Sequence, residues 1–183
     1  MKIVQYPHPA LRHKALPVTT IGKELHLQVA GMLELMYANE GLGLAAPQIA
    51  ETNRVLVMNF AGDPEQKEQE CVAINPVILE RKGNVDDREG CLSFPGLFSK
   101  VRRAKTVKVQ AFNLKGELYE MTVSDLPARV WQHEIDHLDG ILFIDKMGML
   151  GRMNSRRSIE EFIDEFNEAK AKGTLPKDLG PKF

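Results

Sequence analysis

No apolar run in this chain approaches the roughly eighteen residues of a membrane-spanning helix, so a membrane protein is not expected. The opening residues, MKIVQYPHPALRHK, lack the apolar core of a secretory signal, and a cytoplasmic protein is the expectation. Neither sign of charge is in excess: 24 Lys plus Arg stand against 25 Asp plus Glu, a formal net charge of -1. That excludes a global pull toward nucleic acid or anionic membranes, and no direct nucleic-acid binding is inferred. Internal repeats and low-complexity segments are absent as well. Cysteine is scarce, with Cys71 and Cys91 the only two. A reducing compartment and a chain long enough for a real core give no reason to bridge them.

The two cysteines have different neighbours. Cys71 opens CVAINPVIL, which reads as a buried strand, where a free thiol behaves as a small apolar residue. Cys91 lies in EGCLSFPG, and its glycines and proline read as a shaped loop that favours ligation or reactivity. With 43% hydrophobic and 27% charged residues in 183, one domain is expected, burying about 70% of the surface its unfolded chain exposes.

The elements follow from spacing. Residues 1 to 20 hold three prolines and read as irregular, with a short helix near Ala10 to Ala15. Leu25, Val29, Met32, Leu33 and Met36 recur at three and four, which predicts an amphipathic helix over Lys23 to Asn39. GLGLAAPQ, residues 41 to 48, has little side chain to pack, so a strand or a ligand is expected close to its backbone. RVLVMNF at 54 to 60 reads as a buried strand. The run around Cys71 to Glu80 reads as a strand that Pro76 places at an edge or bends. Residues 81 to 90 read as a polar lead into the Cys91 loop. Lys105 to Asn113 and Glu117 to Val123 read as a hairpin, and the basic Arg102, Arg103, Lys105 and Lys108 as a solvated strand face. Pro127 near the start and Gly140 at the end bound a helix opened by Ser124 or Asp125. ILFIDKM reads as a short strand, and Ser158 with Glu161 as the capping box of a C-terminal helix followed by a loose polar tail. The sum is one α+β domain: mostly antiparallel sheets around a buried central helix, with an N-terminal amphipathic helix and a C-terminal helix.

That central helix carries WQHEIDHLDG. His133 and His137 stand four positions apart, which on a helix stacks two imidazoles with Cβ atoms roughly 5–6 Å apart. Glu134 points about 100° away from His133, where a general base for an activated water belongs. The pattern H-E-x-x-H also occurs by chance on ordinary surface helices. A hydrolytic site needs a third ligand; the downstream Glu160, Glu161, Asp164 and Glu165 sit on the exposed side of a helix, and Cys91 is the better candidate because a thiolate binds a first-row ion more strongly.

GLGLAAPQ at 41 to 48, EGCLS at 89 to 93 and QHEIDH at 132 to 137 together resemble the three motifs of the peptide deformylases, in that order. The resemblance covers roughly residues 1 to 150, a catalytic part, with 151 to 183 as the C-terminal helix and tail of the same domain. It implies that Cys91, His133 and His137 bind the metal, Fe(II) by family habit with zinc, nickel or cobalt fitting too, and that Glu134 is the acid/base. It implies that Gln48 and the backbone amide of Leu92 stabilise the oxyanion. The substrate would be an N-formylmethionyl nascent chain, paired along Leu42, Gly43 and Leu44 and flanked by Glu89 and Gly90. Its methionine would enter a pocket of Gly43, Leu126, Val130 and His133. Glu89 and Asp136 would orient an imidazole or pair with Arg102 or Arg103. Phe98 stands where some relatives carry a substrate-binding arginine. Trp131 reads as core. Ribosome docking through the C-terminal helix gets little support from its acidic Glu160, Glu161, Asp164, Glu165 and Glu168. The rival readings are a zinc peptidase and a non-catalytic, metal-stabilised module that docks on nascent chains.

Overall fold

A computed structural model describes residues 1–175; the last part of the expected polar tail, from residue 176, lies outside the described residues. In chain order the elements are α1 (Lys23–Ala38), β1 (Gly43–Ala45), β2 (Val55–Asn59), β3 (Glu70–Lys82), β4 (Val85–Cys91), β5 (Phe94–Arg103), β6 (Thr106–Phe112), β7 (Leu118–Ser124), α2 (Asp125–Leu138) and α3 (Met149–Ala171). Five strands form one antiparallel sheet in the order β1-β2-β3-β6-β7, and β4 and β5 form a separate two-stranded ribbon.

The unbroken apolar run of β2 has a simple cause, which is that both of its faces are covered. Leu56 and Met58 point toward α2, joining Ala73, Val107 and Val109 against Trp131, Ile135 and Leu138. Val55 and Val57 point the other way, toward the stripe of Leu25, Val29, Met32 and Met36 on α1. A strand covered on both sides loses its polar alternation. α2 is buried from Ala128 through Leu138 without a break, including its charged residues, so it is an internal helix. Trp131 is fully buried in this core, as read. A third cluster joins Phe94, Leu97 and Val101 of the ribbon to Phe143, Met147, Ile159 and Phe162, and so ties α3 to β5.

Four local expectations change. Pro76 does not put β3 at an edge, because β3 is the central strand; the proline sits at a register shift between Ile74 and Val77, which spares a ladder bond. Residues 85–91 are a strand rather than a polar lead, and Cys91 is its last residue rather than part of a free loop. Its polar side chains masked it, since the outer face of a two-stranded ribbon is solvated. ILFIDKM forms a 3-10 turn over Phe143–Lys146. The C-terminal helix begins at Met149, so Ser158 lies inside it and caps nothing; the exposed Met149, Leu150 and Met153 hid its first turns from any amphipathic pattern. No helix among the described residues is long and apolar enough to cross a membrane.

α2 ends as the glycine signal indicated. Gly140 has φ +71, and a methyl group there would stand 2.5 Å from the carbonyl oxygen of Arg12. Gly140→Ala therefore meets both a left-handed backbone penalty of about 1–2 kcal/mol and a clash with main chain. Urea unfolding should show a loss of at least that size, while Gly22→Ala, where the added methyl meets nothing within 4 Å, should be far milder.

Candidate metal centre

Helical spacing brings His133 and His137 together as expected, edge to face with ring centroids 4.9 Å apart. Their Nε2 atoms face each other at 3.2 Å, and Sγ of Cys91, delivered by the end of β4, lies 3.2 Å from Nε2 of His137. Ligand atoms of Cys91, His133 and His137 all fall within 4.8 Å of one another. Donors bound at about 2.0–2.3 Å to one tetrahedral ion stand about 3.3–3.6 Å apart. The set therefore fits a single first-row ion in both spacing and chemistry. The other nitrogen of His133, Nδ1, lies 2.6 Å from Oε1 of Glu89, a hydrogen bond that leaves Nε2 as the nitrogen to bind an ion once it gives up its proton. Nδ1 of His137 is buried and has no partner among the described residues. Burial opposes a charge on either ring. Contacts with Cys91 and Glu89 nonetheless raise the His133 pKa well above its ordinary value, whereas burial and the neighbouring His133 hold His137 well below.

Behind the donors lies a buried charge network. Arg103 donates to both carboxylate oxygens of Glu89, at 2.6 and 3.1 Å, and also to Asp136. Arg129 donates to Oε2 of Glu89 at 3.0 Å and to the carbonyl oxygens of Val101 and Val85, so it fastens α2 to the ribbon. Lys146 reaches Asp136 at 2.9 Å. Of the two partners weighed for Glu89 and Asp136, Arg103 is the one used, and it is only 3% exposed; its share of the supposed solvated basic face is internal. Burial alone would raise the Glu89 pKa, but hydrogen bonds from His133 and Arg103 outweigh it and hold the carboxyl well below the usual range. Arg129 was not singled out from the sequence. Arg129 and His133 are four apart on α2, but the partner they share, Glu89, is visible only once the fold brings β4 against the helix.

The remaining expected residues line one cleft of about 820 Å³: Leu42, Gly43, Gln48, Glu89, Gly90, Leu92, Leu126, Val130 and Glu134 all contribute. Glu134 is 4% exposed, its Oε2 has no partner among the described residues, and burial pushes its pKa up to about 7. The small residues of GLGLAAPQ make room for it, since a methyl group on Gly43 would stand 2.5 Å from Oε1 of Glu134. Gln48 is oriented by its own turn: the Ala45 amide donates to Oε1 at 2.9 Å, which aims Nε2 at Ser93 Oγ, 3.3 Å, and Cys91 Sγ, 3.5 Å. Leu44 differs from the others. Its side chain is fully buried against α1, so it can offer a ligand only its main chain. Cys71 lies elsewhere, 3.3 Å from the Tyr119 hydroxyl and part-buried against the core.

Replacing Arg103 with leucine leaves two buried carboxylates short of their shared cation. Removal of one partner from a buried ion pair costs about 3–5 kcal/mol, and chemical denaturation of Arg103→Leu should show a loss in that range. A loss below 1 kcal/mol, the scale of exposed pairs, would show that the network does not carry the load assigned to it.

The family model described as polypeptide deformylase matches residues 1–153. A peptide deformylase of Rhodopirellula baltica is 39% identical over 175 residues, which is 96% of this chain and 87% of that protein. One of Acidobacterium capsulatum is 47% identical over 152 residues, 82% of this chain and 88% of that protein. Among solved structures, the peptide deformylase of Plasmodium falciparum superimposes with a TM-score of 0.88 at 36% identity, over 91% of this chain and 98% of that one. The motifs, the fold and the relatives converge, and the chain belongs to the polypeptide deformylase family.

Proposed function

We propose that this cleft hydrolyses the formamide at the N-terminal methionine of newly made polypeptides, releasing formate and leaving a free amine. One observation carries the assignment of roles: the convergence of Cys91, His133 and His137 beside a buried, unpartnered carboxylate and an oriented glutamine amide. The family is metal-dependent, and these three residues would hold the ion. We assign Fe(II), with zinc, nickel or cobalt suited to the same donors. Such an ion, when bound, acidifies water toward neutral pH and polarises a carbonyl.

The chain's own residues do the rest. Glu134 takes a proton from the attacking water and passes it to the amine nitrogen as the carbon–nitrogen bond breaks. Charge gathering on the carbonyl oxygen is met by Nε2 of Gln48 and the amide of Leu92; one such donor is worth about 2.7–4 kcal/mol of barrier. Among the described residues β1 pairs with β2 alone, as the last strand of its sheet. The main chain of Leu42, Gly43 and Leu44 is thus suited to pair with an extended peptide, with Glu89 and Gly90 flanking it. Leu126 and Val130, with Gly43 and His133, receive the methionine side chain. Burying it contributes about 1.5–3 kcal/mol, a preference short of an absolute requirement.

Residues 1–150 would form the catalytic part, with 151–183 as helix and tail of the same domain. A cytoplasmic location and passage near the ribosome fit a nascent-chain substrate. The zinc-peptidase reading needs a downstream carboxylate ligand, but Glu160 and Glu161 are exposed and engaged with Arg156 and Arg157. A purely structural site would close its coordination with a fourth side chain, and the cluster among the described residues has three.

Formate release from formyl-Met-Ala-Ser by the Fe(II)-loaded protein, assayed with and without chelator, tests the reading. Chelation should abolish release, and Glu134→Ala should keep its metal while losing about 10²–10⁴-fold in kcat. Undiminished turnover by Glu134→Ala would refute the assigned base.

A further inference from the structure

The outer face of the β4–β5 ribbon sets three cations, Arg88, Lys100 and Arg102, against one carboxylate, Asp86. Register places Arg88 opposite Lys100 and Asp86 opposite Arg102, and all four side chains are exposed while Ser99, Val101 and Arg103 alternate inward. Like charges directly opposite one another cost a sheet stability. None of Arg88, Lys100 and Arg102 forms an ion pair among the described residues. Asp86 faces Arg102 and offsets it, whereas Arg88 and Lys100 face each other as like charges, a built-in cost that an anion from outside the chain would relieve.

The inner end of the row is preorganised. Gly90 faces Phe98 across the ribbon, and a methyl group on Gly90 would stand 2.4 Å from the Phe98 ring, so the ring occupies the space a side chain would fill. Phe98 is nonetheless 52% exposed, and the Arg88 guanidinium lies 4.6 Å from its centroid. Stacking on an aromatic face fixes a guanidinium while leaving its donors turned outward. Both residues line the same cleft as Cys91, Gln48 and Glu134.

We propose that Arg88 on its Phe98 shelf, continued outward by Lys100 and Arg102, is a recognition strip for acidic side chains of the polypeptide substrate downstream of its methionine. The inference rests on the hydrolytic reading of the cleft. Strand residues rise about 3.3 Å each. A peptide extended along β4 with its methionine level with Cys91 therefore brings its fourth residue level with Arg88, and its third one step before it. Continuity with the cleft favours a peptide over a nucleic acid, which would meet the strip only from outside.

The test compares kcat/KM for formyl-Met-Ala-Glu-Glu and formyl-Met-Ala-Lys-Lys on the metal-loaded protein. At low ionic strength the acidic peptide should be favoured about five- to tenfold, chiefly through KM, and the ratio should shrink at about 0.5 M salt. Arg88→Glu combined with Lys100→Glu should invert the preference. Because the readout is a ratio within one protein, partial loss of activity in the variant does not obscure it. Equal kcat/KM for the two peptides, or a preference that survives charge reversal, overturns the strip. So does a variant that loses affinity for an RNA oligonucleotide while its peptide preference is unmoved. Absence of formate release from every peptide would instead overturn the hydrolytic reading, and this inference with it.

Discussion

Three electron-rich atoms held at van der Waals range are the constraint on which the structure depends. Sγ of Cys91 and the Nε2 atoms of His133 and His137 stand about as close as ligands of one ion do. Without a shared cation or proton such lone pairs repel, so the fold has to force them together. It does so by burying α2 on every side and by bringing the end of β4 against it. The rigid apolar layers on the two faces of the main sheet serve that placement, since a helix locked by Trp131, Ile135 and Leu138 cannot rotate its histidines away.

Glu89 converts placement into chemistry. One carboxylate receives hydrogen bonds from His133, Arg103 and Arg129, which leaves it ionised, sets the tautomer of His133 and fastens the ribbon to α2. Glu134, one residue along the helix from His133, has the opposite surroundings, buried and with one oxygen unpartnered, and its pKa rises where that of Glu89 falls. Two carboxylates a few residues from the same donors are thus tuned apart, one to hold a ligand still and the other to carry a proton.

How much of this was readable depended on whether the signal was local. His133, Glu134 and His137 declared themselves by helical spacing, and the small residues before Gln48 by their lack of side chain. The roles of Gln48 and Leu92 came from motif resemblance. Arg103 and Arg129 were obscure because their partner, Glu89, is distant in sequence, and an arginine in a basic run looks solvated until its partner is placed. β4 was hidden for a related reason, with its polar outer face giving no alternation. The start of α3 was hidden by apolar residues facing outward. For the arginines and β4, tertiary pairing overrode the local pattern; for the start of α3, apolar residues left in solvent did.

X-ray absorption at the edge of the bound metal reads the donor set itself. The expected shell is one sulfur scatterer at about 2.3 Å and two imidazole nitrogens at about 2.0–2.1 Å, with the sulfur signal lost in Cys91→Ser and kept in Cys71→Ser. A shell built only of nitrogen and oxygen in the intact protein would contradict it.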